Sequence, residues 1–273
     1  MNPEKRARLL AMLSPLQLEI LRYEWALWAR PKQLPPQHPW QVWLLLAGRG
    51  FGKTRAGAEW IRQLATKAVA GRLALVGETT DDLRAVMIEG NAGILAVSPA
   101  YERPCWQPSR RLLSWPNGVE ARCFSADDPE QLRGPEMEKA WCDEIAKWRY
   151  PEAWQNMMLG LRLGSQPQVL ATTTPRPRPW LKTLADAPYT CVIHGSSEEN
   201  SANLAEGFVA AMRQRLRDPV QAAQELDGRL LHETFGSLPP LPRLDWDNLW
   251  SLLVGMLGLG GLRSWEKARG VSR

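Results

Sequence analysis

The chain is poor in the residue types that build metal centres and covalent staples, with three histidines and four cysteines in 273 residues. The cysteines, Cys105, Cys123, Cys142 and Cys191, lie too far apart for a C-x-x-C knuckle, and no two histidines have H-x-x-x-H spacing. A zinc knuckle is thereby excluded as an organising feature, and a reduced, cytosolic protein is the expectation. Long apolar runs are also scarce. Residues 1–13 are charged and short in apolar length, so they read as neither a signal peptide nor a membrane span. Apolar content as such is not lacking: at 44% hydrophobic residues the chain can build a full core, which argues against disorder. A net charge of +5 is only mildly basic; it permits a polyanionic partner without requiring one.

Apolar residues recur at helical spacing over residues 3–12 and 15–29, the second stretch placing Leu16, Ile20, Tyr23 and Leu27 on one side. Two leading helices are predicted. Four prolines in residues 30–39 dictate an extended connection, after which residues 42–47 form an apolar run of strand length, suited to burial on both faces. A Gly-rich turn, a helix from 53 to about 70, a strand at 73–76 and a helix from about 81 to 89 follow. Such alternation predicts a parallel α/β sheet, since parallel strands need crossover connections. Residues 111–115 and 119–124 flank Trp115-Pro116-Asn117-Gly118, whose Asn-Gly pair favours a tight hairpin turn. Further strands are predicted at 139–142, 168–172 and 189–193. The expected organisation is 1–40, helices and proline-rich connection; 41–235, an α/β domain; and 236–273, an atypical Gly-rich tail.

The strongest chemical motif sits where the first buried strand ends. Ala47-Gly48-Arg49-Gly50-Phe51-Gly52-Lys53-Thr54 is a phosphate-binding loop between strand and helix, with Ala in place of the first Gly of G-x-x-x-x-G-K-[ST]. Gly50 and Gly52 free the backbone to turn amides inward, Gly48 is counted with them among the nucleotide-binding residues, Lys53 reaches terminal phosphate oxygens, and Thr54 suits Mg²⁺. A second motif, Ala140-Trp141-Cys142-Asp143-Glu144, is a strand ending in two carboxylates. Asp143 is expected to hold the Mg²⁺ of a bound ATP, and Glu144 to orient the attacking water.

Four blocks in order then carry a resemblance: residues 43–60 (WLLLAGRGFGKTRAGAEW), 124–135 (FSADDPEQLRGP), 141–148 (WCDEIAKW) and 171–177 (ATTTPRP). They resemble the large terminase subunits of tailed phages and prophages, over roughly residues 25–231. The resemblance implies a RecA-like P-loop NTPase, with a parallel-rich central sheet flanked by helices. It further implies hydrolysis of ATP with Mg²⁺ to drive double-stranded DNA into a capsid in the cytoplasm of a bacterial host. The implied partners are DNA, a portal protein, a small terminase subunit and further copies of the chain in a ring.

The same resemblance assigns residues. Arg49 matches the arginine that many terminases carry in the phosphate loop, where it acts like an arginine finger; a surface arginine is the plainer reading. Thr172, Thr173 and Thr174 match a motif coupling hydrolysis to domain movement, with hydroxyls that can bond the catalytic water or Glu144; Thr-rich strand ends are otherwise ordinary β structure. Gln33 corresponds to an adenine-reading glutamine, with Gln37 and Gln41 as alternatives. Arg133 is a candidate for contact with DNA or a neighbouring subunit, or is a solvated arginine. A nuclease domain, which follows the ATPase in full-length terminases, is not expected from the residues after about 234. The tail itself departs from the family. It resembles the end of a small phage membrane protein of the holin kind and reads equally well as an amphipathic or poorly ordered appendage. Asp247 and Asn248 keep its apolar run short of a span, so membrane contact is not the expectation. Two other functions stay open: a prophage remnant that binds nucleotide without packaging, and a helicase-like ATPase.

Overall fold

Strands that must bury both faces are joined here by helical crossovers, and the outcome is an eight-stranded sheet of order β3-β4-β5-β2-β6-β7-β1-β8. The computed structural model describes residues 11–67 and 71–229. The strands are β1 (Val42–Ala47), β2 (Arg72–Gly77), β3 (Cys105–Gln107), β4 (Leu112–Ser114), β5 (Glu120–Ser125), β6 (Lys139–Cys142), β7 (Gln168–Thr173) and β8 (Thr190–Gly195). The six from β5 to β8 in sheet order are parallel; β3 and β4 extend one edge antiparallel through the hairpin at Gly118. This is the mostly parallel α/β architecture expected from the sequence. The predicted tail, 236–273, and nearly all of the first predicted helix lie outside the described residues.

The helices are α1 (Pro15–Tyr23), α2 (Lys53–Thr66), α3 (Glu152–Gly160), α4 (Pro179–Ala185), α5 (Phe208–Arg215) and α6 (Pro219–Glu225), with shorter turns between them. Alternate side chains of β1 feed two cores. Trp43 and Leu45 pack with Ile61 of α2 and with Leu75 on one face, while Val42, Leu44 and Leu46 pack with Trp154 of α3 and Leu181 of α4 on the other. On the first face α2 lies close enough that a Cβ on Gly57 would come within 2.1 Å of the Trp141 ring. Only glycine lets this helix sit on β6.

Three local expectations are corrected. The helix predicted over 15–29 is broken at Glu24, whose ψ of 91° is extended. Ile20, before the break, and Leu27, after it, are both exposed, and Trp25 just past the break is the buried anchor. Trp25 lies under the Arg55 guanidinium, and Arg62 of α2 donates to the Tyr23 carbonyl at 2.5 Å, both arginines being held by the buried Glu59. The proline-rich connection is not wholly extended but contains a 3-10 turn at Pro31–Gln33. The helix predicted at about 81–89 is present over Thr80–Ile88, but it is a short α turn, Thr80–Asp82, continued in π form over Leu83–Ile88.

Sheet order decides what meets at the carboxyl edge. β7 lies between β6 and β1, so the threonines ending β7 must stand between the acids after β6 and the Gly-rich loop after β1. In open parallel sheets this edge is where ligands gather.

Candidate nucleotide-binding site

The loop after β1 turns sharply because Gly50 and Gly52 have φ of 75° and 95°, in the region where side chains are disfavoured. Four successive carbonyls of the loop are engaged from outside it. The carbonyls of Arg49, Gly50, Phe51 and Gly52 accept hydrogen bonds from the side chains of Ser197, Asn200, Arg30 and Gln33 respectively. Among the described residues the amides of Gly50, Gly52, Lys53 and Thr54 donate to no protein acceptor. With carbonyls engaged and amides free at the start of α2, the loop has the form of an anion nest.

Lys53 is buried and folded over this loop, donating to the Ala47 carbonyl at 2.9 Å and to the Thr174 hydroxyl at 2.9 Å. Its nearest carboxylate oxygen, on Glu144, is 3.5 Å away. Burial lowers its pKa, opposed by the charges of Glu144 and Asp143. A desolvated ammonium whose nearest carboxylate oxygen is 3.5 Å away is suited to the oxygens of a polyphosphate.

The three threonines at the end of β7 each hold a different point of the acidic turn. The Thr172 hydroxyl donates to Asp143, the Thr173 hydroxyl accepts from the Ala146 amide at 3.2 Å, and Thr174 donates to Glu144 through its amide at 3.2 Å. The Thr174 hydroxyl, having accepted from Lys53, is free to donate to Glu144 Oε1 at 3.5 Å. Glu144 itself is in the left-handed conformation with φ of 50°, a strain of about 1–3 kcal/mol that persists only when its surroundings enforce it. Asp143 is buried, and its carboxyl is pushed up to about 6, chiefly by desolvation and then by the Glu144 charge; the Thr172 hydrogen bond and the cations Lys53 and Lys147 act the other way. A buried carboxylate that resists ionisation in the free protein gains most from a nearby cation.

Arg49, Gly50, Gly52, Lys53, Thr54, Glu144 and Thr174 line one cavity of about 350 Å³. Asp143 opens into an adjoining cavity of about 150 Å³, shared with Thr54, Glu144, Glu78 and Asp82. Thr54, the Mg²⁺ candidate of the loop, thus lines both chambers, as a residue bridging a nucleotide's phosphates and its metal must; the donor set of hydroxyl and carboxylate suits that hard cation. Gly48 is buried behind the loop, where a Cβ would lie 2.2 Å from the Leu226 carbonyl. Gln33 is not in the cavity lining: its amide holds the loop's outer side. Arg49 lines the cavity, but its guanidinium pairs with Glu225 of α6. Sequence reading missed the outer ring of Arg30, Ser197, Asn200 and Glu225, because nothing in their spacing shows that residues after β8 return to the loop. Among the described residues no helix is long and apolar enough to cross a membrane.

Sheet order, loop and acids together define a P-loop nucleotide-binding fold of the RecA-like type. Residues 44–234 match the family model for the terminase large subunit, T4likevirus-type, N-terminal. The chain belongs to that family. No match was found among the curated proteins. Among solved structures, the large terminase ATPase domain of Thermus phage P74-26 superposes with a TM-score of 0.56 at 16% identity, covering 74% of this chain and 93% of that one. The large terminase of a second, thermophilic bacteriophage gives 0.57 at 14% identity, covering 77% of this chain and 52% of that one. That of bacteriophage HK97 gives 0.52 at 14%, covering 80% and 51%. At these identities the superpositions speak for the fold alone. The chain spans about half the length of the last two subunits. The terminase of the second phage has also been solved with ADP and with ATP-gamma-S.

Proposed function

We propose that this domain hydrolyses ATP to move double-stranded DNA into a viral capsid. The observation that carries the reading is the continuous chain from Lys53 through the Thr174 hydroxyl to Glu144, formed where the ends of β1, β7 and β6 meet. A phosphate-binding lysine, a hydroxyl and a carboxylate are there in mutual contact beside a loop whose amides are free. The nucleotide complexes of the thermophilic-phage terminase support ATP as the ligand.

In this mechanism Lys53 leaves the Ala47 carbonyl for the terminal phosphate, and the loop amides hold the phosphate chain. Thr54 and Asp143 would hold a Mg²⁺, whose charge would neutralise the phosphoryl oxygens. Glu144, freed from Lys53 but still gripped by the Thr174 amide, orients a water for in-line attack and takes up its proton. Because Thr174 touches both the lysine and the base, a change at either side would reach the end of β7, which on this reading couples hydrolysis to movement. Arg49 has to exchange Glu225 for the phosphate to act as an arginine finger. Gln33 stabilises the loop here, and an adenine contact requires its amide to leave the Gly52 carbonyl.

The partners that go with this reading are duplex DNA, a portal, a small terminase subunit and further copies of the chain in a ring, in the cytoplasm of the bacterial host. A motor that follows any sequence must grip phosphates, so its affinity should fall with salt by about 0.9 log units per phosphate contacted for each tenfold rise. The test is ATP turnover by portal-assembled protein with duplexes of unrelated sequence, alongside anisotropy across a salt series. Stimulation by every duplex and a steep salt slope are expected. A strong preference for one sequence, or affinity indifferent to salt, contradicts a packaging motor; strand separation on a forked duplex indicates a helicase instead.

A further inference from the structure

Four cations line the 350 Å³ cavity: Arg49, Lys53, Arg55 and Lys147. Three are engaged. Arg49 pairs with Glu225, Arg55 with Glu59, and Lys53 with the loop carbonyls, Thr174 and Glu144. The fourth, Lys147, is half-buried, and its ammonium makes no hydrogen bond or ion pair among the described residues. It is held in place by the backbone: Lys147 ends the 3-10 turn Ile145–Lys147, and its amide donates to the Glu144 carbonyl at 2.8 Å. It lines the metal-side cavity as well, with Thr54 and Asp143, so it stands at the junction of the two chambers, on the acidic turn rather than the loop.

We infer that Lys147 is a second phosphate-binding lysine, which contacts the terminal phosphate of ATP from the side of the acidic turn and so distinguishes ATP from ADP. The Lys147 ammonium bears on the Asp143 carboxyl only through its charge and donates no hydrogen bond among the described residues, so its donors are free for the oxygens of an anion. The loop amides provide for the inner part of the phosphate chain and Lys53 reaches the terminal phosphate from the loop, whereas Lys147 lines both cavities and is only three residues from the carboxylate that orients the attacking water. The phosphoryl oxygens nearest that water belong to the group being transferred. Negative charge on those oxygens persists after the bond to the leaving group breaks, so the same ammonium also holds the free phosphate until the turn moves.

The inference rests on the nucleotide reading above, and its test keeps the two apart. Affinities for ATP-gamma-S and for ADP would be measured by calorimetry on the full chain, for wild type, Lys147→Ala, Lys147→Arg and Lys53→Ala, with thermal melts as a check on folding. Wild type that binds neither nucleotide, or binds both independently of Lys53, overturns the nucleotide reading itself. Given wild-type binding, the expected result is that Lys147→Ala weakens ATP-gamma-S about tenfold or more while ADP changes less than about twofold, one charge-assisted hydrogen bond being lost in the first case only. Lys147→Arg, which keeps the charge, should recover at least half of the loss on a logarithmic scale. Equal weakening of both nucleotides makes Lys147 a structural support of the cleft, and no weakening of either makes it a solvated surface charge; each overturns the inference.

Discussion

Glu144 accepts a hydrogen bond from the Thr174 amide at 3.2 Å while its own backbone is held at a φ of 50°. The strained turn and the threonine are parts of one device: without the grip of β7, the left-handed residue would be free to relax and the carboxylate would swing away from the loop. The Thr174 hydroxyl completes the connection to Lys53.

Thr174→Val removes that hydroxyl but keeps the backbone amide and a β-branched shape. The expected outcome is a fall in kcat of about ten- to hundredfold, the range for a positioning hydrogen bond in the transition state, with KM changed less than about threefold. Thr174→Ser should restore most of the rate. Steady-state ATPase kinetics decide this, and a rise in KM at constant kcat would assign Thr174 to nucleotide binding instead.

Asp143 supplies a pH-dependent prediction. Its carboxyl titrates at about 6 in the folded protein, above the ordinary value of about 4. The unfolded chain therefore ionises first as pH rises, and the group lowers stability increasingly between about pH 4 and 6 and to the full extent above 6. Asp143→Asn, which keeps the acceptor for Thr172, should raise Tm at pH 7–8 in the absence of nucleotide. The gain should fade as pH falls through 6 towards 4, and Mg²⁺-dependent hydrolysis should be lost. Thermal melts across pH read it; a gain that is constant with pH, or a loss of stability at pH 8, counts against the burial argument.

At Gly57 the packing of α2 on Trp141 leaves no room for a methyl group. Although alanine favours a helix by about 1 kcal/mol over glycine, Gly57→Ala must push apart the helix and β6 at a contact of 2.1 Å. Overpacking costs about 1–3 kcal/mol or more, so the net effect is destabilisation and a lowered denaturation midpoint. Urea unfolding of this variant checks it, and unchanged or increased stability would show that α2 lies further from the sheet.

Much of this was legible in the sequence for identifiable reasons. β1 spans the apolar run Val42–Ala47, and β6 ends with the run 140–142, because strands buried on both faces leave uninterrupted hydrophobic stretches. That the loop, Lys53, Asp143 and Glu144 belong together was readable because the motifs that carry them place particular residue types at fixed spacing after buried strands. What spacing does not encode is which distant segments return to the site. The ring of Arg30, Ser197 and Asn200 around the loop joins residues up to 170 positions apart, and Arg30 and Asn200 are bonded to each other. Periodicity also misled at α1: Ile20 and Leu27 are exposed, and the buried position is Trp25, just past the break at Glu24. Short β3 and the π form of Leu83–Ile88 leave no pattern longer than a few residues to read.

If Lys53 binds the phosphates and Glu144 activates the water, substitutions at the two positions must separate binding from hydrolysis. ATP binding and hydrolysis would be measured side by side for wild type, Lys53→Ala and Glu144→Gln, with circular dichroism to confirm folding. Glu144→Gln should bind ATP within about threefold of wild type and lose at least about a hundredfold in kcat, since only the carboxylate that polarises the water is neutralised. Lys53→Ala should lose binding itself. Wild-type rates in Glu144→Gln, or full ATP affinity in folded Lys53→Ala, would contradict the account.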